Sequence, residues 1–205
     1  MRQLKGAIVT ATSACLLAAC AQVETSKPTA SLEPAKNINH PVGTTIVVND
    51  QGDRITWEKT AVTDKGSVWQ ASDGCKYTSY NSNPFAPAIT FESCDGNTGT
   101  QTVQSKSGAL FPLQVGNTAS WKLTGQDQQY NWTTTRRCEV SDTVNLTVPA
   151  GSYDAFKVVC RDDWNTRTYY YAPEVAANAA FIRVHEDRGT EADSRLVKAP
   201  SQPTS

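Results

Sequence analysis

Few residues of this chain have the types and spacing that chemistry requires. His185-Glu186-Asp187 sets an imidazole beside two carboxylates, a pairing from which a general base can be built. Nucleophilic catalysis also needs a Ser or Cys presented to that base. The sequence has no G-x-S-x-G elbow, the turn that exposes a serine in many hydrolases, and a surface strand end explains His-Glu-Asp equally well. Asp162-Asp163, beside Trp164, would suit glycoside cleavage if two carboxyls faced each other about 5–10 Å apart across a sugar. Adjacent strand residues point to opposite faces, so with Asn165 this group reads as a turn. His40 lies in a polar, Pro-containing stretch and reads as a solvated linker residue. A zinc site would have to draw on His40, His185 and cysteines without any C-x-x-C spacing. Phosphate loops and dinucleotide fingerprints do not occur in the sequence. No catalytic residue, metal or cofactor is assigned.

The chemistry with the strongest signal is acylation of a thiol. Arg2 and Lys5 precede an apolar stretch, Ala7–Ala19, which ends in Leu17-Ala18-Ala19-Cys20. A basic start, a short apolar run and small residues before a cut site define a secretory signal. The run is too short for a membrane span, which needs about 20 helical residues to cross about 30 Å. Leu-Ala-Ala-Cys resembles the bacterial lipobox. The thiol accepts a diacylglycerol as a thioether, and cleavage before Cys20 frees an amine that can take a further chain such as palmitate. Each buried methylene contributes about 0.8 kcal/mol, so two or three chains hold far better than one. Residues 1–19 are therefore read as a signal peptide and Cys20 as the lipidated N-terminus. Ala21 stands where many Gram-negative lipoproteins retained in the inner membrane carry Asp, which directs the expectation to the outer membrane.

Without Arg2 and Lys5, 17 Lys and Arg face 20 Asp and Glu, a formal charge of −3. There is no basic block for nucleic acid and no polybasic lipid-binding patch. Four cysteines follow the anchor: Cys75, Cys94, Cys138 and Cys160. An even count in an exported chain predicts two disulfides, with three connectivities open. Proximity in sequence favours Cys75–Cys94 and Cys138–Cys160.

The elements that must position these residues are strands. The mature chain has 16 Val against 6 Leu and no Met, a composition suited to pleated sheets. Turn signals recur at strand-length intervals: Asn49-Asp50-Gln51-Gly52, Asp73-Gly74, Asp95-Gly96-Asn97 and Val115-Gly116-Asn117. Alternation sets Ala119, Trp121 and Leu123 on one face and Thr118, Ser120, Lys122 and Thr124 on the other. Val144, Leu146 and Val148 likewise share a face, as do Phe156, Val158 and Cys160. Trp132 shares a face with Tyr130 and Cys138, and Arg136 falls on it too.

Val148-Pro-Ala-Gly-Ser152 predicts a hairpin, with Pro149 in a type I turn and Gly151 in the following bulge. Setting Val148 opposite Ser152 leaves Cys138 two residues out of register with Cys160. A bulge near Ser141-Asp142 is therefore predicted, to bring the sulfurs together. Asn81–Pro87 is the expected turn that joins the ends carrying Cys75 and Cys94. Pro173–Ala180 is compatible with a short helix or a turn. Residues 20–41 read as a lipidated Cys and flexible tether, 42–198 as the β domain (one unit, or lobes 42–108 and 109–198), and 199–205 as a disordered tail.

Leu110-Phe-Pro-Leu-Gln-Val-Gly-Asn117, Val148-Pro-Ala-Gly-Ser-Tyr-Asp-Ala-Phe-Lys-Val158 and Tyr169-Tyr-Tyr-Ala-Pro-Glu-Val175 carry a resemblance. Together they are similar to a broad group of proteobacterial envelope lipoproteins and periplasmic β-rich domains of uncharacterised role. The resemblance implies a half-open barrel or curved sheet, in some members a carrier that shields acyl chains, and it brings no catalytic residues. The expectation is all-β: an antiparallel curved sheet, half-barrel or sandwich with two disulfides. Trp57, Trp69, Trp121, Trp132, Trp164 and Tyr169–Tyr171 are candidates for recognition or for the core, with Trp121 and Trp132 favouring the core.

Function is expected to be that of a non-catalytic membrane-anchored envelope lipoprotein with a binding or structural role. Its partners would be the membrane, through Cys20, and an envelope protein, glycan or lipid. The alternatives are a carrier or sensor for a hydrophobic ligand and, third, an envelope hydrolase using His185.

Overall fold

A computed structural model describes residues 23–202. The predicted signal peptide, Cys20 and the last three residues lie outside that range. Thirteen strands form: β1 Thr25–Ser26, β2 Thr45–Asp50, β3 Asp53–Val62, β4 Gly66–Ala71, β5 Lys76–Tyr80, β6 Ala88–Cys94, β7 Asn97–Gly108, β8 Thr118–Asp127, β9 Asn131–Val148, β10 Gly151–Arg161, β11 Asn165–Ala172, β12 Ala177–His185 and β13 Gly189–Ser201. From β2 to β13 each strand pairs antiparallel with the next, and β13 pairs back onto β2. The half-open barrel or sandwich of the sequence reading is thus corrected to a closed twelve-stranded meander. Closure removes the sheet edges that an open form would leave unpaired. One continuous sheet runs through residues 42–108 and 109–198, joined by the long β7–β8 pairing.

The predicted turns fall between strands, at Gln51-Gly52, Asp73-Gly74 and Asp95-Gly96. Gly66 is fixed by close approach: a Cβ there would sit 1.7 Å from the Ser79 carbonyl oxygen. Pro173–Ala176 is a turn, not a helix, and Ala177 already belongs to β12. The Val148 hairpin is one residue tighter than expected, with Val148 opposite Gly151 instead of Ser152. The bulge is where the cysteines require it: Asp142 pairs with Lys157, Val140 with Val158, and Ser141 is left over. That single extra residue sets Cys138 directly opposite Cys160.

Alternation sorts the wall into an apolar inside and a polar outside. Ala119, Trp121 and Leu123 of β8 are at most 3% exposed, and they join Cys138, Val140, Phe156, Val158, Cys160, Tyr169 and Tyr171 in the main core. Phe85, Leu110 and Leu113 reach that core from the loops. On the other side of the wall, Lys122, Arg137, Glu139 and Arg161 are exposed. A membrane-spanning barrel carries the reverse pattern, with an apolar outer band. Among the described residues there is no helix, and none is long and apolar enough to cross a membrane.

A second core forms on the opposite face of β11. Tyr170 and Ala172 pack with Val144, Leu146, Val148, Tyr153, Ala155, Ala179, Ala180 and Leu196. The ends of β9 and β10 reach β13, where the Ala150 amide donates to the Leu196 carbonyl at 3.0 Å. β11 is therefore buried on both faces, which explains the apolar run Tyr169–Ala172 without alternation in character.

The segment read as a flexible tether lies along this frame from Val23 onward. β1 pairs with Asn145 and Leu146 of β9, beyond the reach of β8, and Val23 packs against the second core. Ala35 bridges to Leu113, and Leu32 packs on the main core. At the other terminus β13 continues to Ser201, opposite Thr45, so the first part of the predicted tail is strand.

Candidate functional site

The two disulfides connect Cys75 to Cys94 and Cys138 to Cys160, the pairing favoured by proximity. The first ties the β4–β5 turn to the end of β6. The second lies in the main core, across the hairpin bearing Arg136 and Arg137.

The cations and acids of that hairpin divide between the two faces. Arg136 points inward, where its guanidinium lies 3.5 Å from Asp162, and Arg167 of β11 approaches the same carboxylate oxygen at 2.5 Å. The three side chains are 8%, 4% and 14% exposed. The second oxygen of Asp162 accepts the backbone N–H groups of Trp164 and Asn165, 3.3 and 2.9 Å away, and so holds the β10–β11 turn. Burial alone would raise the Asp162 pKa, but Arg167, Arg136 and these hydrogen bonds hold it below the usual carboxylate range. Burial and the neighbouring Arg167 bring Arg136 down to about 10, so it remains charged at neutral pH. Asp163, by contrast, is exposed. The paired-carboxylate motif is a structural turn, as its neighbours in sequence indicate.

The histidines are separated and occupied. His185 sits at the β12–β13 turn, where its Nδ1 accepts the Asp187 amide at 3.1 Å. His40 Nε2 lies 2.9 Å from the Ala176 carbonyl, which ties the N-terminal segment to the β11–β12 turn. No group of three or more His, Cys, Asp or Glu side chains suited to a metal occurs among the described residues.

Most of the aromatics fill the molecule. Trp121 is 1% exposed, and Tyr169, Tyr170 and Tyr171 are buried. Trp57 packs edge-on to Tyr77, with ring centroids 5.2 Å apart. Trp69 lies opposite Tyr77 and is half-buried. Trp132 lies over Gly125, whose missing side chain leaves room for the indole: a Cβ there would come within 2.4 Å of it. Trp164 is 41% exposed at the turn. A hydrophobic-ligand carrier needs a continuous apolar cavity. Here the interior is filled by side chains such as Trp121, Phe85, Leu123 and Phe156 at 0–1% exposure, which counts against that reading.

A cleft of about 500 Å³ lies on the wall formed by β7, β8, β9 and β10. Its charged lining is Arg137, Glu139, Arg161, Asp162 and Asp163, and Ser107, Thr118 and Ser120 supply hydroxyls. Alternation had placed Ser120 on the polar face, but the assembly of these residues across four strands depends on pairing registers that no local pattern records.

Two further polar sites escaped sequence reasoning. Lys59 is fully buried, and its ammonium donates to the Asn39 side chain and, at 2.5 Å, to the His40 carbonyl. Burial lowers its pKa. Asp154 accepts the Thr29 hydroxyl, the Thr29 amide at 2.9 Å, the Ala30 amide at 3.3 Å and the Asn145 side-chain amide at 2.8 Å. The Thr29 hydroxyl is the main cause of its carboxyl being held at about 2.

No family model matches the chain, and no curated protein sequence matches it either. Three solved structures are similar in fold. The hypothetical lipoprotein YmcC from Escherichia coli is 12% identical, with 80% of this chain and 87% of that chain covered and a TM-score of 0.49. An exported protein with a YmcC-like fold from Bacteroides fragilis is 12% identical over 82% of this chain and 100% of its own, with a TM-score of 0.41. A lipoprotein from Parabacteroides distasonis is 11% identical over 83% and 100%, with a TM-score of 0.38. Likeness of this degree says nothing about activity, ligand or partner.

Proposed function

We propose that this chain is an envelope lipoprotein, anchored in the outer membrane through acylated Cys20, whose barrel is a non-catalytic binding module. The observation that carries the reading is the succession of a basic start, an apolar stretch and Leu17-Ala18-Ala19-Cys20. An extracytoplasmic location is supported by two disulfides, which form in oxidising compartments. The binding role is supported by the polar wall cleft and by the filled interior. The non-catalytic role is supported by His185, whose Nδ1 is engaged by its own turn.

The test is metabolic labelling with palmitate in cells that make the native chain or Cys20→Ser. The native chain should take up label and fractionate with the outer membrane. Cys20→Ser should take up none, and continued labelling of the variant would refute the anchor.

A further inference from the structure

Four side chains on the outer wall stand in one row across the strands. Ser107 of β7 is opposite Ser120 of β8, Ser120 is opposite Arg137 of β9, and Arg137 is opposite Arg161 of β10. All four line the 500 Å³ cleft. None of the four has a side-chain hydrogen bond or ion pair among the described residues. Like charges directly opposite on neighbouring strands repel, so the Arg137–Arg161 pair is not explained by stability.

The acid that could have neutralised the pair from below is engaged elsewhere. Asp162 is held by Arg136, Arg167 and two turn amides. Counting the groups of the cleft and the layer beneath it, Arg136, Arg137, Arg161 and Arg167 outnumber Glu139, Asp162 and Asp163 by one. A local positive excess therefore sits on a chain whose mature form has a formal charge of −3.

We infer that this row is a binding site for a phosphate group. Guanidinium groups bind phosphate oxygens through paired, charge-assisted hydrogen bonds, and the two serines add neutral donors at one end. Three inter-strand spacings separate Ser107 from Arg161, roughly 14 Å. A phosphate bearing a polar substituent, such as a glycerophospholipid headgroup, would extend along the row from the arginines to the serines, whereas a free phosphate would occupy the arginine end alone. Ser107 and Ser120 stand at one end of the row and Arg137 and Arg161 at the other, so the small residues leave space beside the two guanidinium groups. The inference deepens the binding-module reading by naming the ligand chemistry.

Purified full-length protein in a non-ionic detergent is titrated with inorganic phosphate and, separately, with short-chain phosphatidylglycerol, with amide NMR shifts as the readout. Saturable shifts at Ser120, Arg137 and Arg161 are expected. Arg137→Thr should weaken binding at least about tenfold, as the loss of a charge-assisted hydrogen bond implies, without lowering Tm. Arg161→Thr should behave the same way, and the double variant should not saturate. Saturation by phosphatidylglycerol at concentrations where inorganic phosphate has no effect would identify a headgroup. Saturation by both at similar concentrations would identify the free ion as sufficient. Absence of saturation with either, or saturation retained in the double variant, would overturn the site. The Cys20 anchor reading is unaffected by that failure, because the labelling experiment tests it separately.

Discussion

Asp162→Asn should destabilise the protein by about 3–5 kcal/mol in denaturant unfolding, because it leaves Arg136 and Arg167 buried without a counter-charge. The pH dependence has a definite sign. The folded pKa of Asp162 lies below its unfolded value, so its stabilisation is complete above about pH 3.9 and is lost as pH falls through the lower folded value. Lys59 acts in the opposite direction. Its folded pKa is lowered by burial, so the unfolded chain binds the proton more tightly, and this group's contribution improves as pH rises toward about 10.4. Lys59→Met should flatten that rise in a plot of Tm against pH, whereas an unchanged slope would show that another group is responsible. Alternation placed Arg136 on an apolar face and turn chemistry placed Asp162 beside Asn165, but neither joined the two. Burial depended on Arg167, whose approach from β11 leaves no periodic trace. Lys59 was invisible because it is buried by residues 39 and 40, twenty positions away in sequence.

Among the elements, the β9–β10 hairpin was the most legible and the N-terminal segment the least. Turn chemistry at Pro149-Ala150-Gly151, together with disulfide reach, was enough to demand the bulge found at Ser141. The segment from Val23 to His40 has the composition of a linker, and its order comes from contacts made one at a time: Thr25 with Leu146, Thr29 with Asp154, Ala35 with Leu113 and His40 with Ala176. Asp154→Ala should release it, seen as faster hydrogen exchange at Thr29 and Ala30 with the barrel amides unchanged. Because the Asp154 carboxyl is held at about 2, the clasp is intact above its unfolded value and loosens only as pH falls through about 2. Replacing Cys138 and Cys160 by alanine should cost about 3 kcal/mol on the chain-entropy account, read from denaturant midpoints.

For the whole molecule, composition was sufficient for an all-β fold and insufficient for its closure. The closing pair joins Thr45 to Ser201, and contacts that distant are encoded in no local signal. Alternation did convey the outcome of closure, an apolar lumen and a polar wall, at Thr118–Thr124 and Phe156–Arg161. The order that begins at Val23 also limits how far an acylated Cys20 could stand from the barrel. Three Cα steps separate Val23 from Cys20, at most about 11 Å, so an acylated Cys20 would hold the barrel against the bilayer, on the side where β1 lies on β9. Intact-mass analysis of the protein extracted from native membranes tests the central claim most directly. The expected mass is that of a chain beginning at Cys20 with two or three acyl groups. A chain beginning at Met1, or one beginning at Cys20 without any acyl group, would contradict it.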